Sequence, residues 1–274
     1  MPAPTPDSPG QRTAIHLLEL TIMIPADTTS KWPKRISPLT KERQDISDDF
    51  MKLWHEKLPR YSAVERFNHG WVVKHAPPGF RRTLEIGAGL GEHFRFEHLT
   101  AAQAAAYWAL ELRGNMAAEI QRRFPQIQTV VGNCQEELSF PSNYFDRIVA
   151  VHVLEHLPDL PAAIREAYRL CDKERGTFQI VIPCEGSPAY GFCRRISAQR
   201  VFEKRYKQSY RWFIEREHIN LPWEIMQEID PYFLIESRAY FPIPVPFEFC
   251  NLCIAMNLRP KSAPGREADA KATR

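Results

Sequence analysis

Thr83-Leu84-Glu85-Ile86-Gly87-Ala88-Gly89-Leu90-Gly91-Glu92-His93 decides the fold. Leu84 and Ile86 are apolar and follow Arg81-Arg82, so the run opens as a buried strand. Three glycines on alternate positions then break it, and Glu92-His93-Phe94-Arg95-Phe96 starts a helix. A strand, a glycine turn and a helix start together make a seat for a nucleotide-like ligand. Glycine permits φ > 0 and lets a ligand approach where a Cβ would clash. The helix start adds unpaired N–H groups and a partial positive charge. The spacing excludes two common occupants. A dinucleotide fingerprint needs glycine where Glu92 stands, and a phosphate loop needs a Lys that does not follow Gly91. What stands here is Glu-x-Gly-x-Gly-x-Gly, with the Glu85 carboxylate at the strand end, suited to a ligand ammonium group.

The 274 residues give room for one sizeable α/β domain with additions, or two small ones. An apolar fraction of 44% and a charged fraction of 25% are ordinary for a globular protein, and a net charge of +3 is too small to argue for nucleic acid. The six cysteines fall inside apparent strands and helices, which predicts reduced thiols and a cytoplasmic protein. Cys250-x-x-Cys253 has no second pair and no His close in sequence, so no metal is expected. No apolar run approaches the roughly 18 residues of a membrane span. Ala14 to Ile24 is mildly apolar but interrupted by His16 and Glu19, and does not read as a signal peptide.

Residues 1–38 are rich in Pro and small polar residues and are expected to be a disordered arm. Ile46, Phe50, Leu53, Trp54 and Leu58 recur at helical spacing, as do Val64, Phe67 and Trp71 after Pro59, so residues 39–79 read as a helical cap. Pro77-Pro78-Gly79 ends it. Strands are then expected at Tyr107–Leu112, Ile127–Val131, Tyr144–Val153 and Gly176–Ile182, with helices at Arg113–Phe124 and Leu160–Leu170. This alternation predicts a doubly wound, mostly parallel α/β sheet over residues 80–259. Residues 184–221 read as a helical insertion. Pro222–Ile229 reads as a helix, and Tyr232–Tyr240 with Phe247–Leu258 as a closing antiparallel hairpin. Residues 260–274 are expected to be a disordered tail.

With its acid two places before the first glycine, the opening stretch resembles the first motif of the class I S-adenosylmethionine-dependent methyltransferases. The resemblance runs from about Arg82 to Pro183. It includes Gly132-Asn133-Cys134-Gln135, similar to the family's adenine-contacting stretch, and Leu154-Glu155-His156 after the fourth strand. It implies S-adenosyl-L-methionine as cofactor and a Rossmann-like fold. Gly87, Ala88, Gly89 and Gly91 would shape the methionine end, and Glu85 would meet the amino group. Glu111, about 20 residues on, would hold the ribose, with Leu112 beside it. Asn133, Cys134 and Gln135 would line the adenine edge, with His152 a further cofactor contact. Asn133 equally suits an Asx turn.

Methyl transfer from a sulfonium asks mainly for orientation, and a base helps where the acceptor is a hydroxyl. The candidates on the acceptor side are His152, His156, Glu185 and His218. In the insertion, Arg194, Arg195, Arg200, Lys204, Arg205, Lys207 and Arg211 interleave with Phe202, Tyr206, Tyr210, Trp212 and Phe213. That mixture suits an anionic, partly apolar acceptor, such as a lipid or sugar at a membrane surface. It equally suits an amphipathic lid with a solvated basic face. Glu203, Glu215 and Glu217 dilute the charge and argue against nucleic acid. The expected function is methylation of a small-molecule, lipid or glycan acceptor. The alternatives are a carbon methyltransferase of the quinone-biosynthesis type and a non-catalytic cofactor-binding subunit. Nothing in the sequence fixes an oligomeric state.

Overall fold

The computed structural model describes residues 31–57 and 61–262, and the fold lies in the unit Trp32–Arg274. The apolar segment at Ala14–Ile24, Leu58 and Pro59, most of the expected arm and most of the expected tail lie outside the described residues. Within the stretch expected to be disordered, two residues dock. The Trp32 indole donates to Glu228 Oε1 at 3.0 Å, and Lys34 Nζ donates to the Ile219 carbonyl at 2.6 Å and to Glu224 at 2.8 Å.

Seven strands form one sheet: β1 (Thr83–Ile86), β2 (Tyr107–Glu111), β3 (Gln128–Val131), β4 (Arg147–Val151), β5 (Thr177–Pro183), β6 (Phe233–Phe241) and β7 (Cys253–Pro260). Their order is β3-β2-β1-β4-β5-β7-β6. The first five are parallel, and β7 runs antiparallel between β5 and β6. β1 is central and every one of its residues is buried. Strand order reverses between β1 and β4, which places the switch point of the sheet at Gly87.

Two helices precede the strands, α1 (Lys41–Lys57) and α2 (Ser62–Lys74), and the others lie between strands: α3 (Ala101–Ala105), α4 (Gly114–Arg123), α5 (Leu160–Leu170), α6 (Pro188–Arg194), α7 (Arg200–Tyr206), α8 (Arg211–Glu217) and α9 (Pro222–Ile229). Strand side chains alternate between the two faces. Ile148, Ala150, Ile180 and Ile182 pack with Leu160, Ile164 and Leu170 of α5 and with Ile225 of α9. Val149, Val181 and Ala255 meet Val72 of α2 on the other face. Two expectations change in detail. The turn Gly87–Gly91 leads into a short 3-10 helix, His93–Phe96, and then α3, where one helix was expected. The insertion is α6, a π segment at Arg195–Gln199, α7 and α8.

The two cap helices divide their work. α2 covers the sheet, whereas Phe50 of α1 packs against Phe202, Tyr210 and Phe213 of the insertion. The insertion aromatics are therefore core. Two of its basic groups pair with acids, Arg205 with Asp49 of α1 at 2.9 Å and Arg211 with Glu215 of the same helix at 2.6 Å, in keeping with the amphipathic-lid reading of that segment.

Candidate active site

The carboxyl ends of β1, β2 and β4 and the loops after β4 and β5 meet at one rim. Gly87 and Ala88 N–H both donate to the Leu110 carbonyl, at 2.9 and 3.1 Å, which turns the chain sharply beside β2. Gly89 has φ +60°, and a Cβ there would stand 2.9 Å from Glu92 Oε2. Glu111 ends β2 and fixes this turn. Its Oε2 accepts from Gly89 N–H and its Oε1 from Arg113 N–H, both at 3.0 Å. Each carboxylate oxygen keeps a lone pair for a ligand hydroxyl. Leu112, next in the chain, is 64% exposed, an apolar surface beside that carboxylate. These residues fit a nucleoside with a diol and an apolar ring. The turn Gly87–Gly91 and the end of β2 at Glu111 and Leu112 lie side by side at this rim.

Glu85 is placed elsewhere. Its side chain points into the face beneath α2, fully enclosed, and accepts from the Tyr107 hydroxyl at 2.7 Å. Burial, opposed by the Tyr107 bond, pushes its pKa up to about 8, so it is held neutral rather than offered as an anion at the rim. It neighbours a buried ionic cluster in which Glu97 pairs with Arg147 at 2.7 Å and with His93 at 2.9 Å. Asn133 adopts the Asx turn: its Oδ1 accepts from Gln135 N–H at 3.1 Å, and its amide donates to Glu136 at 2.9 Å. Gln135 in turn accepts from Asp159 N–H, and Cys134 is buried with its thiol pushed up to about 12 by desolvation. These bonds tie the loop at the end of β3 to itself and to the start of α5.

The loops after β4 and β5 and the end of the insertion gather Glu155, His156, Glu185 and His218. His152 leaves β4 with φ 54°, a left-handed conformation uncommon outside glycine and frequent at functional sites. Its Nδ1 meets Glu155 Oε1 at 3.1 Å and its Nε2 faces Cys253 Sγ at 4.0 Å, so it stands behind Glu155. Cys253 thus meets a histidine in space that is distant in sequence. Burial would lower the His152 pKa, but the Cys253 and Glu155 contacts raise it well above the ordinary value. Burial would raise the Glu155 pKa, but the His152 bond and the neighbouring imidazoles hold it at about 2. His156 Nδ1 bonds the Glu217 carbonyl, and His218 Nδ1 bonds Glu185 Oε2 at 2.8 Å. Burial and the His218 charge lower the pKa of His156. Burial opposes ionisation of Glu185, but His218 and Arg194 hold its pKa down.

Asn220 brings these loops together. It is fully buried, and its amide donates to the Leu154 and Leu157 carbonyls at 2.8 Å each, while Ile219 and Asn220 N–H both donate to the Glu155 carbonyl. The end of the insertion is thereby pinned to the loop after β4. Sequence reading passes over Asn220, because only its neighbour His218 carries an obvious chemical signal. A separate concavity of about 660 Å³, lined by Phe80, Arg81, Thr100 and Gln103, lies at the opposite, amino-terminal edge of the strands, where no motif converges.

A parallel sheet in this order, with a glycine turn at the switch point and an acid ending the next strand, is the fold of the class I S-adenosylmethionine-dependent methyltransferases. Residues 84–178, from β1 into β5, match the family described as "Methyltransferase domain", which marks this stretch as a methyltransferase domain with S-adenosylmethionine as its cofactor. No curated protein matches the chain. Among solved structures, it is similar to a possible histamine N-methyltransferase from Thermotoga maritima, at 18% identity and TM-score 0.51 over 78% of this chain and 99% of that one. It is similar to a TehB-like methyltransferase from Corynebacterium glutamicum, at 16% and 0.51 over 78% and 98%. The cyclase SpnF is similar at 13% and 0.52 over 72% and 81%. At these identities the likeness is one of fold, and the cyclase shows that fold alone does not set the reaction.

Proposed function

We propose that the enzyme methylates a small-molecule acceptor with an apolar body, which enters between the loops after β4 and β5 and the insertion. The carrying observation is the convergence of Glu155, His156, Glu185 and His218, from three separate segments, beside the glycine rim. Bound S-adenosylmethionine supplies the activated methyl group. Gly87, Gly89 and Gly91 would shape its methionine end, Glu111 its ribose and Leu112 its adenine face, with Asn133 to Gln135 as the wall beyond. His156 and His218 would meet the acceptor heteroatom, held by Glu217 and Glu185. His152 positions Glu155 from behind.

Support for an apolar acceptor comes from the surface around the entrance. Phe192 on α6 and Phe247 and Phe249 beside the start of β7 are each at least 63% exposed. β7 starts beside Pro183 at the end of β5, so these rings stand at the same rim. Exposed aromatic groups in one patch mark a binding surface, and a lipid-like or aromatic acceptor suits this one. All six cysteines are free thiols, which supports the cytoplasm as its compartment. Among the described residues no helix is long and apolar enough to cross a membrane.

The test is an untargeted search for methylated products after incubation with labelled S-adenosylmethionine and cell extract. A methylated apolar small molecule, with its new bond assigned to oxygen, nitrogen or carbon, is the expected result. Cofactor binding with no labelled product across extracts would instead mark a non-catalytic binding protein.

A further inference from the structure

We propose that Glu155, His156 and His218 bind a divalent first-row transition cation of the zinc or manganese kind on the acceptor side of the site. The existence of this site rests on side-chain geometry, and only its use rests on the function proposed above. One ligand atom from each of the three residues lies within 4.8 Å of the others. Two donors bonded to one ion at about 2.0–2.2 Å lie about 3–4 Å apart, so small side-chain rotations bring all three onto it.

Each imidazole is already set for a cation. The Glu217 carbonyl can only accept, so His156 Nδ1 carries the proton and its Nε2 presents a lone pair. The Glu185 carboxylate does the same for His218. Metal-bound histidines are oriented in this way, by a carbonyl or carboxylate on the opposite nitrogen. The third donor is enclosed: the Glu155 side chain is 1% exposed, its Oε1 stands 3.8 Å from His156 Nε2, and its Oε2 has no hydrogen-bond partner. A buried carboxylate oxygen without a partner is a costly feature, which a cation relieves.

Two imidazole nitrogens and a carboxylate select zinc, manganese or iron over magnesium and calcium, which prefer an all-oxygen shell. Three protein donors leave further coordination positions open. An acceptor hydroxyl seated there has its pKa lowered by the cation and passes its proton to water, leaving the oxygen more nucleophilic. The competing use of the same Nε2 atoms is as a proton acceptor, and metal binding separates the two.

Full-length protein without an affinity tag, stripped with EDTA, is titrated with Co²⁺ by its visible ligand-field absorption and then with Zn²⁺ in competition. Saturable Co²⁺ binding, displaced by Zn²⁺, is the expected result. His156→Ala and His218→Ala should each weaken it by more than about 100-fold, and Glu185→Gln, which only orients His218, by about 10-fold. Calorimetry with S-adenosylmethionine on each variant reports whether the fold is intact. Gly89→Val should show the reverse pattern, with cofactor binding lost and Co²⁺ binding kept. A wild-type protein that binds the cofactor but shows no saturable Co²⁺ binding overturns the proposal, as does Co²⁺ binding unmoved by either histidine change. Co²⁺ binding without cofactor binding would sustain the metal site and overturn the function proposed above.

Discussion

The donor side of the site is made largely of main chain from one short stretch, Gly87–Gly91, fixed by Glu111 22 residues on. The acceptor side is made of side chains from distant segments, His156 meeting Glu217 across 61 residues and Asn220 reaching back 66 to Leu154. Local backbone geometry is dictated by local sequence, whereas a side-chain cluster depends on how the insertion docks. The first half of the site is therefore rigid by construction. The second is only as firm as the contacts of α1, α7 and α8.

This contrast implies that the two halves fail separately. The largest effect is expected from Phe50→Ala, which empties the centre of the α1–insertion cluster, where Phe50 meets Phe202 at 5.0 Å and Phe213 at 5.1 Å. Loss of about 3–5 kcal/mol of stability is expected, and urea unfolding checks it. Retained S-adenosylmethionine binding below the transition would show the halves are separable, and its loss would break the comparison. Next comes Gly89→Val, a β-branched residue forced to φ > 0. Cofactor affinity should fall by more than about 100-fold by calorimetry, with the unfolding of the insertion unmoved.

Asn220→Ala should cost about 1–3 kcal/mol, because two buried carbonyls lose their donor. It should also uncouple the acceptor loops, abolishing turnover while cofactor affinity stays within about threefold. The smallest effect concerns Glu85. Its folded pKa near 8 lies above the ordinary 4.5. Its contribution to stability is thus fully present below about pH 4.5 and is lost as pH rises to about 8. Glu85→Gln, still able to accept from Tyr107, should flatten that decline, which has a slope of at most about 1.4 kcal/mol per pH unit. Melting temperatures from pH 5 to 8 measure it, and identical slopes in both proteins would refute the buried, neutral assignment. The acid side depends on His93, whose pKa burial lowers to about 4, and on Glu97, whose ion pairs hold it at about 2 despite burial. Their contributions fade as pH falls from about 6.5 to 4 and from about 4.5 to 2 respectively.

Much of the fold was legible because its signals are local. α5 and α9 fall on the residues their apolar spacing predicts, and the parallel, doubly wound character of the sheet follows from alternation with helices. Glu85 was misplaced because a strand residue's direction depends on which face the neighbouring layers cover, a tertiary property. Asn133 reads both as an adenine neighbour and as an Asx turn, and it adopts the turn because the Gln135 N–H lies within reach of its own side chain. The insertion aromatics read either as an acceptor surface or as an amphipathic lid, and what decides for the lid is Phe50, which lies 152 residues before Phe202 and packs against it. Glu155 reads only as part of the Leu154-Glu155-His156 loop, and Asn220 carries no pattern at all, since a buried amide is recognisable only once the loops around it are in place.

The central claim is that the glycine rim holds a sulfonium nucleoside. Calorimetric titration of the full-length protein with S-adenosylmethionine tests it most directly. The account predicts one saturable site, competed by S-adenosylhomocysteine and indifferent to NADH. No heat with either sulfur nucleoside, or binding of the dinucleotide in their place, would contradict it.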